Sequence, residues 1–188
     1  MTDQHQERLY WDAASTDPTN IGGVGMPPVE HFLTILDRYH VDGPMLDLGS
    51  GPGRLAVPMA DFGRVHAVDI SEAMLDQIPA HPNITTHLGN GRDLPDSVPP
   101  ISFGWSVLMF QHIPRPAFLG YMHELWFHLR PGSRFIAQWV LKGEAHDYSH
   151  PCTASSGVSF GAAAGLELVE AWRDPLVDEW FWACWERP

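Results

Sequence analysis

"LDLGSGPGRL", residues 46–55, decides how the chain is read: Gly49, Gly51 and Gly53 follow directly behind a short apolar run. Glycines spaced in this way let a backbone turn sharply and come close to a ligand. The run in front of them, "GPMLDLG" (43–49), reads as a short buried strand. Behind them "GRLAVPMADFG" (53–63) reads as a helix, where Pro58 removes an interior hydrogen bond and predicts a bend or a short first turn. Strand, glycine loop and helix in this order are the context that a nucleotide-binding loop requires.

Working outward, "RVHAVDIS" (64–71) is a second strand, and Ser71 is placed to cap a helix through "SEAMLDQI" (71–78). "NITTHL" (83–88), "ISFGWSVLMF" (101–110) and "SRFIAQWVL" (133–141) read as further strands. A helix over 115–132 carries Phe118, Leu119, Met122, Leu125, Trp126 and Leu129 on one face and is stopped by Pro131 and Gly132. Upstream, Val29, Phe32, Leu33, Leu36 and Tyr39 keep helical spacing behind Pro27 and Pro28. Near the end, a small-residue helix around "VSFGAAAG" (158–165) leads into "LELVEAWRD" (166–174) and "DEWFWACWE" (178–186). No helix separates these two strands, which predicts an antiparallel hairpin. Trp172, Trp180, Trp182 and Trp185 suit the packing of such a hairpin, and Trp126 and Trp139 read as core. The whole predicts an α/β fold, a doubly wound sheet of about seven strands, mostly parallel, with helices on both faces. Residues 1–26 read as a polar N-terminal arm and 27–188 as the domain.

The chain has 188 residues, enough for one domain, and at 44% hydrophobic it can build a full core. Cys152 and Cys184 are too few for a disulfide framework and point to a reducing cytoplasm. No apolar stretch approaches a membrane span, and the first residues lack the pattern of a signal peptide. A net charge of −12 argues against nucleic acid and anionic membrane as partners. A small-molecule substrate and a monomer or homodimer are expected.

In an open parallel sheet, ligands bind beyond the carboxyl ends of the strands. Asp69 ends the second strand, where a carboxylate accepts hydrogen bonds from ribose hydroxyls. A dinucleotide would bring a pyrophosphate to this loop, and Asp47 would repel it. S-adenosylmethionine has no phosphate and carries a sulfonium and an ammonium instead. The sign of Asp47 therefore favours the methyl donor over a nicotinamide cofactor, and with it a methyltransferase over an oxidoreductase.

"MLDLGSGPGRL", "VHAVDIS" with "AMLDQ", "GNGRDLP", "WSVLMFQHIP" and "LRPGSRFIAQ" resemble the successive motifs of class I S-adenosylmethionine-dependent methyltransferases, from about Pro27 to Leu141. The resemblance implies a Rossmann-like fold and methyl transfer with S-adenosylhomocysteine as product. It implies that Asp47, Gly49, Ser50, Gly51 and Gly53 surround the methionine part of the donor. Asp69 would hold the ribose hydroxyls, with Ile70 and Met74 against the adenine or ribose. Asn90, Gly91 and Arg92 take the adenine-edge position, and the Val107 carbonyl faces the donor's amino group. Tyr10 and Trp11 resemble aromatics that relatives fold over the donor. Ser102 and Asn90 stand where many relatives have Asp, and no Asn-Pro-Pro-Tyr or Asp-Pro-Pro-Tyr signature follows the fourth strand.

The methyl acceptor is expected to be a small molecule with an O or N nucleophile. The alternatives are a larger acceptor (a glycan, peptide or nucleotide) and a protein that binds the donor without catalysis. His112, just past the fourth strand, is the candidate base. Tyr148 and His150 are candidate substrate contacts in the loop "EAHDYSHPC" (144–152). His146 and His150 have a metal-ligand spacing only on a helix, which Pro151 disfavours, so no metal is expected.

Overall fold

A computed structural model describes residues 4–17, 26–141 and 150–188. Seven strands form one sheet in the order β3-β2-β1-β4-β5-β7-β6. They are β1 (Met45–Leu48), β2 (Val65–Asp69), β3 (Ile84–Leu88), β4 (Ile101–Ser106), β5 (Leu129–Val140), β6 (Glu167–Arg173) and β7 (Trp180–Glu186). Only β7 runs against the others, and it lies between β5 and β6. The predicted α/β architecture with its antiparallel closing hairpin is the one observed. Chain order reverses between β1 and β4, and at such a switch point the loops part and leave a crevice.

Alternation along the strands divides the core between the two faces. On one side Phe118, Met122 and Leu125 of α5 (Arg115–His128) pack with Phe135, Trp139 and Trp185. On the other, Phe32 and Leu36 of α2 (Val29–Tyr39) pack with Phe103, Trp105 and Trp182. The glycines of α6 (Ala154–Ala163) let that helix lie directly on indole rings. A Cβ on Gly157 would stand 2.3 Å from Trp139, and one on Gly161 2.1 Å from Trp185 Nε1.

Several elements depart from expectation for visible reasons. The helix expected over 53–63 is a single turn, α3 (Ala56–Met59), which contains Pro58. The next, α4 (Glu72–Leu75), is equally short, and Ser71 Oγ caps it by accepting the Met74 N–H. The long helix ends at His128 instead of at Pro131, because Leu129 is already extended and pairs with Ile101. Pro131 and Gly132 therefore sit inside β5, where a register shift opposite Ile101 and Phe103 absorbs them. Trp126 is half-buried and packs against the edge of the core, with the Arg187 guanidinium 4.5 Å from its ring. The final helix starts at Ala154, ahead of the expected stretch, on a Thr153 cap. Within the N-terminal arm, Gln4–Ala14 is a helix, α1. Among the described residues, no helix is long and apolar enough to cross a membrane.

Candidate functional site

The glycine loop is tied to β2: the Gly49 and Ser50 N–H groups both donate to the Val68 carbonyl, at 2.8 and 3.0 Å. Gly49, Gly51 and Gly53 have φ of 76°, 52° and 83°, conformations that glycine alone adopts without strain. A Cβ on Gly49 would meet Met109 at 2.6 Å, so the segment after β4 closes directly on the loop. Gly51 has nothing near it on that side, and its N–H donates to Asp69 Oδ2 at 2.8 Å. Ser71 N–H donates to the other oxygen at 2.9 Å, which fixes the Asp69 carboxylate at the crevice.

Asp47 is treated differently. It is 2% exposed, and its Oδ2 has no hydrogen-bond partner among the described residues. Burial, and then the neighbouring Asp69, push its carboxyl up from 3.8 to about 7. Burial also raises Asp69, against which the Ser71 and Gly51 N–H groups work. A buried, incompletely bonded Asp47 beside the half-buried Asp69 suits a cation.

The wall after β4 is strained. Leu108 has φ 66°, the one positive value on a non-glycine residue among the described residues. Such a conformation costs roughly 1–2 kcal/mol and persists only where neighbours over-determine it. Here Leu108 N–H donates to Oε1 of fully buried Gln138 at 2.8 Å, and Ser106 Oγ–H donates to the Leu48 carbonyl at 2.8 Å. His112 follows in a 3₁₀ turn (Phe110–His112). The Gln111 amide N–H donates to His112 Nε2 at 3.1 Å, so the ring accepts at that nitrogen.

The helix α1 lies across the crevice. Trp11 meets the His112 ring edge-on at 4.9 Å. Ser71 Oγ–H donates to Asp12 Oδ1 at 2.5 Å, and Gln77 Nε2–H to the Ser15 carbonyl at 3.1 Å.

Of the residues expected from sequence, Asp47, Gly49, Ser50, Gly51 and Asp69 line one cleft. Ile70, Met74, Gly91 and Val107 line it too, with Trp11 and His112 at the side of α1. Four others do not. Gly53 packs against Ile78, and Tyr10 is exposed with its ring edge-on to Trp11 at 5.0 Å. Asn90 Oδ1 is engaged in its own turn, where it accepts the Arg92 and Asp93 N–H groups, and Arg92 belongs to that turn. His150 is not among the lining residues, and its N–H donates to the Gln111 carbonyl at 2.6 Å. Tyr148 and His146 lie outside the described residues. The cleft also contains Glu7, Arg54 and Tyr121, which the sequence did not single out. Arg54 donates to the Pro27 carbonyl at 2.6 Å and lies over the Phe32 ring. Tyr121 is buried on α5, and burial raises its hydroxyl well above the ordinary range.

Residues 45–132 match the family model described as a methyltransferase domain. Over this stretch the chain carries a methyltransferase domain, and its motifs there resemble those of the class I S-adenosylmethionine-dependent methyltransferases. A search of curated protein sequences finds no match. Among solved structures, the CcbJ methyltransferase from Streptomyces caelestis is similar with a TM-score of 0.79 at 21% identity, over 96% of this chain and 98% of that one. Magnesium protoporphyrin IX methyltransferase from Synechocystis PCC 6803, solved with bound SAH, gives 0.78 at 15%, over 99% and 100%. The [4+2]-cyclase SpnF gives 0.79 at 13%, over 98% and 97%. Identities this low speak for the fold alone. The unpartnered Asp47 oxygen fits the cationic end of S-adenosylmethionine as it would not fit a pyrophosphate.

Proposed function

We propose that this methyltransferase acts on an oxygen or nitrogen nucleophile of a small molecule and releases S-adenosylhomocysteine. The observation that carries the donor assignment is Asp47, a buried carboxylate with an unpartnered oxygen beside the glycine loop. Asp47 would face the ammonium and sulfonium, with the Val107 carbonyl toward the amino group. Asp69, already held by the Gly51 and Ser71 N–H groups, would take the ribose hydroxyls. Ile70, Met74 and Gly91 would flank the base, and α1 would cover the site through Trp11, so that the arm (1–26) serves the domain (27–188). When bound, the donor supplies a methyl group already activated on sulfur, and alignment of the nucleophile provides most of the rate.

His112 would take the nucleophile's proton. Its Nε2 already accepts a hydrogen bond from Gln111, the state a base needs, and the substrate's O–H or N–H would replace that donor. The net charge of −12 speaks against nucleic acid as the acceptor and suits a small molecule in the cytoplasm, with the chain a monomer or homodimer. Because a [4+2]-cyclase shares the fold, donor binding without methyl transfer is the second possibility.

The test is incubation of the purified chain with methyl-labelled donor and size-fractionated cell extract. Label in low-mass products supports the proposal, and label confined to high-mass fractions indicates a glycan, peptide or nucleotide acceptor. Calorimetric binding of S-adenosylhomocysteine with no labelled product in any fraction favours the non-catalytic alternative. With an acceptor in hand, His112→Asn should lower kcat by about 10²–10⁴ and leave donor affinity within a few-fold. An unchanged kcat would remove His112 as the base.

A further inference from the structure

The two ends of the cleft differ in chemistry. The β1 end has Asp47, while the end toward β3 has apolar and aromatic walls from Ile70, Met74 and Tyr121. Into that second end α1 brings one carboxylate, Glu7. A Cβ built on Gly91 would stand 3.7 Å from Glu7 Oε2 and 2.9 Å from Ile70 Cδ1. The carboxylate therefore lies over the Gly91 backbone, beside Ile70. Among the described residues no other acid lines this end, and Asp69 is the next carboxylate along the cleft. The helix is also held there by Asp12 to Ser71 and Trp11 against His112.

We propose that Glu7 reads the purine of the donor by accepting a hydrogen bond from the 6-amino group of adenine. The proposal rests on the cleft holding S-adenosylmethionine. Strand order then gives the direction. Asp47 is on β1, Asp69 at the end of β2, and Gly89 and Gly91 follow β3. A nucleoside with its cationic end at Asp47 and its ribose hydroxyls on Asp69 carries its base toward β3, under Glu7. Asn90 precedes Gly91 but has Oδ1 turned onto the Arg92 and Asp93 N–H groups, away from the cleft. The acceptor at the base edge thus comes from the N-terminal helix instead of from the loop after β3. Closure of α1 and recognition of the base become one event: a nucleoside with a 6-oxo group would put an acceptor against a carboxylate, and both would repel.

The experiment compares binding of S-adenosylhomocysteine and of its 6-oxo counterpart, S-inosylhomocysteine, by calorimetry. The wild-type chain should prefer the adenine form by about tenfold or more, the range for a hydrogen bond to a charged group. Glu7→Ala should bring the two ligands within about twofold. Glu7→Gln, whose amide can donate as well as accept, should bind the 6-oxo form more tightly than Glu7→Ala does. A Glu7→Ala variant that keeps the wild-type preference overturns the role of Glu7 and leaves the donor assignment standing. If the wild-type chain binds neither ligand, the donor assignment itself falls.

Discussion

The cleft over β1 and β2 and the turn between β6 and β7 each bury an aspartate, and they treat it in opposite ways. Asp174 in the turn is 4% exposed, much like Asp47 at 2%. Its Oδ1 accepts the Leu176 and Val177 N–H groups at 2.8 and 3.0 Å. Its Oδ2 accepts the Trp182 indole N–H at 2.7 Å and lies 2.9 Å from His31 Nε2. Burial alone would raise its carboxyl, but the bonds from His31, Leu176 and Trp182 outweigh it and hold the group below its ordinary value. At Asp47 burial and the neighbouring Asp69 outweigh the help from Trp105 and Ala56, one oxygen stays unpartnered, and the group rises instead. A buried acid completed by its own chain is part of the fold. One left incomplete points to something the chain binds.

The largest expected effect tests the first half of that contrast. Asp174→Ala would leave the Trp182 indole and two backbone N–H groups without their acceptor and should cost about 3 kcal/mol or more in denaturant unfolding. Affinity for S-adenosylhomocysteine should hardly change, and a large loss of binding would couple the hairpin turn to the cleft. Next, Asp69→Ala should weaken that affinity by about 100-fold, as expected for two charge-assisted hydrogen bonds to ribose hydroxyls. Calorimetry reads it directly, and unchanged binding would remove Asp69 from the ribose.

The smallest effect is a difference in slope with pH. Asp47 is raised in the folded state, so its favourable contribution is complete below the ordinary 3.8 and is lost as pH rises through about 7. Asp174 is lowered, so its contribution is complete above the ordinary carboxylate value and is lost as pH falls through the depressed one. Unfolding of the unliganded chain between pH 5 and about 7 should therefore carry a downward slope from Asp47 that Asp47→Asn abolishes. A cationic ligand favours the ionised form, so binding should release protons near pH 6, seen as a buffer-dependent heat. No buffer dependence would mean that Asp47 is already ionised in the free protein.

The features legible in the sequence were those set by local chemistry. Three glycines behind an apolar run dictated the loop, and alternation with no intervening helix dictated the β6–β7 hairpin. Ser71 announced its own cap. Where long-range pairing decides, the sequence misleads. Pro131 and Gly132 look like a helix stop, yet pairing of Leu129 with Ile101 ends the helix earlier. The helix α1 shows no wide apolar stripe: Leu9 and Tyr10 are exposed and Ala14 is its one buried residue, so docking on the cleft fixes it. Glu7, Arg54 and Tyr121 come from three separate parts of the chain, and only the assembled sheet brings them to one cleft. Asn90 occupies a motif position, but its side-chain oxygen completes its own turn first.

The place of β7 has a consequence for how the chain is made. The strand is the last in chain order, yet it fills the slot between β5 and β6 and pairs with both. On the ribosome, β5 therefore waits with an open edge bearing Phe135 and Trp139, while β6 has no neighbour in the sheet. Only when residues 180–186 emerge do both ladders close in one step. Loss of this short segment would do more than trim the fold. It would leave a long, apolar strand edge exposed, the template on which chains pair with one another and aggregate.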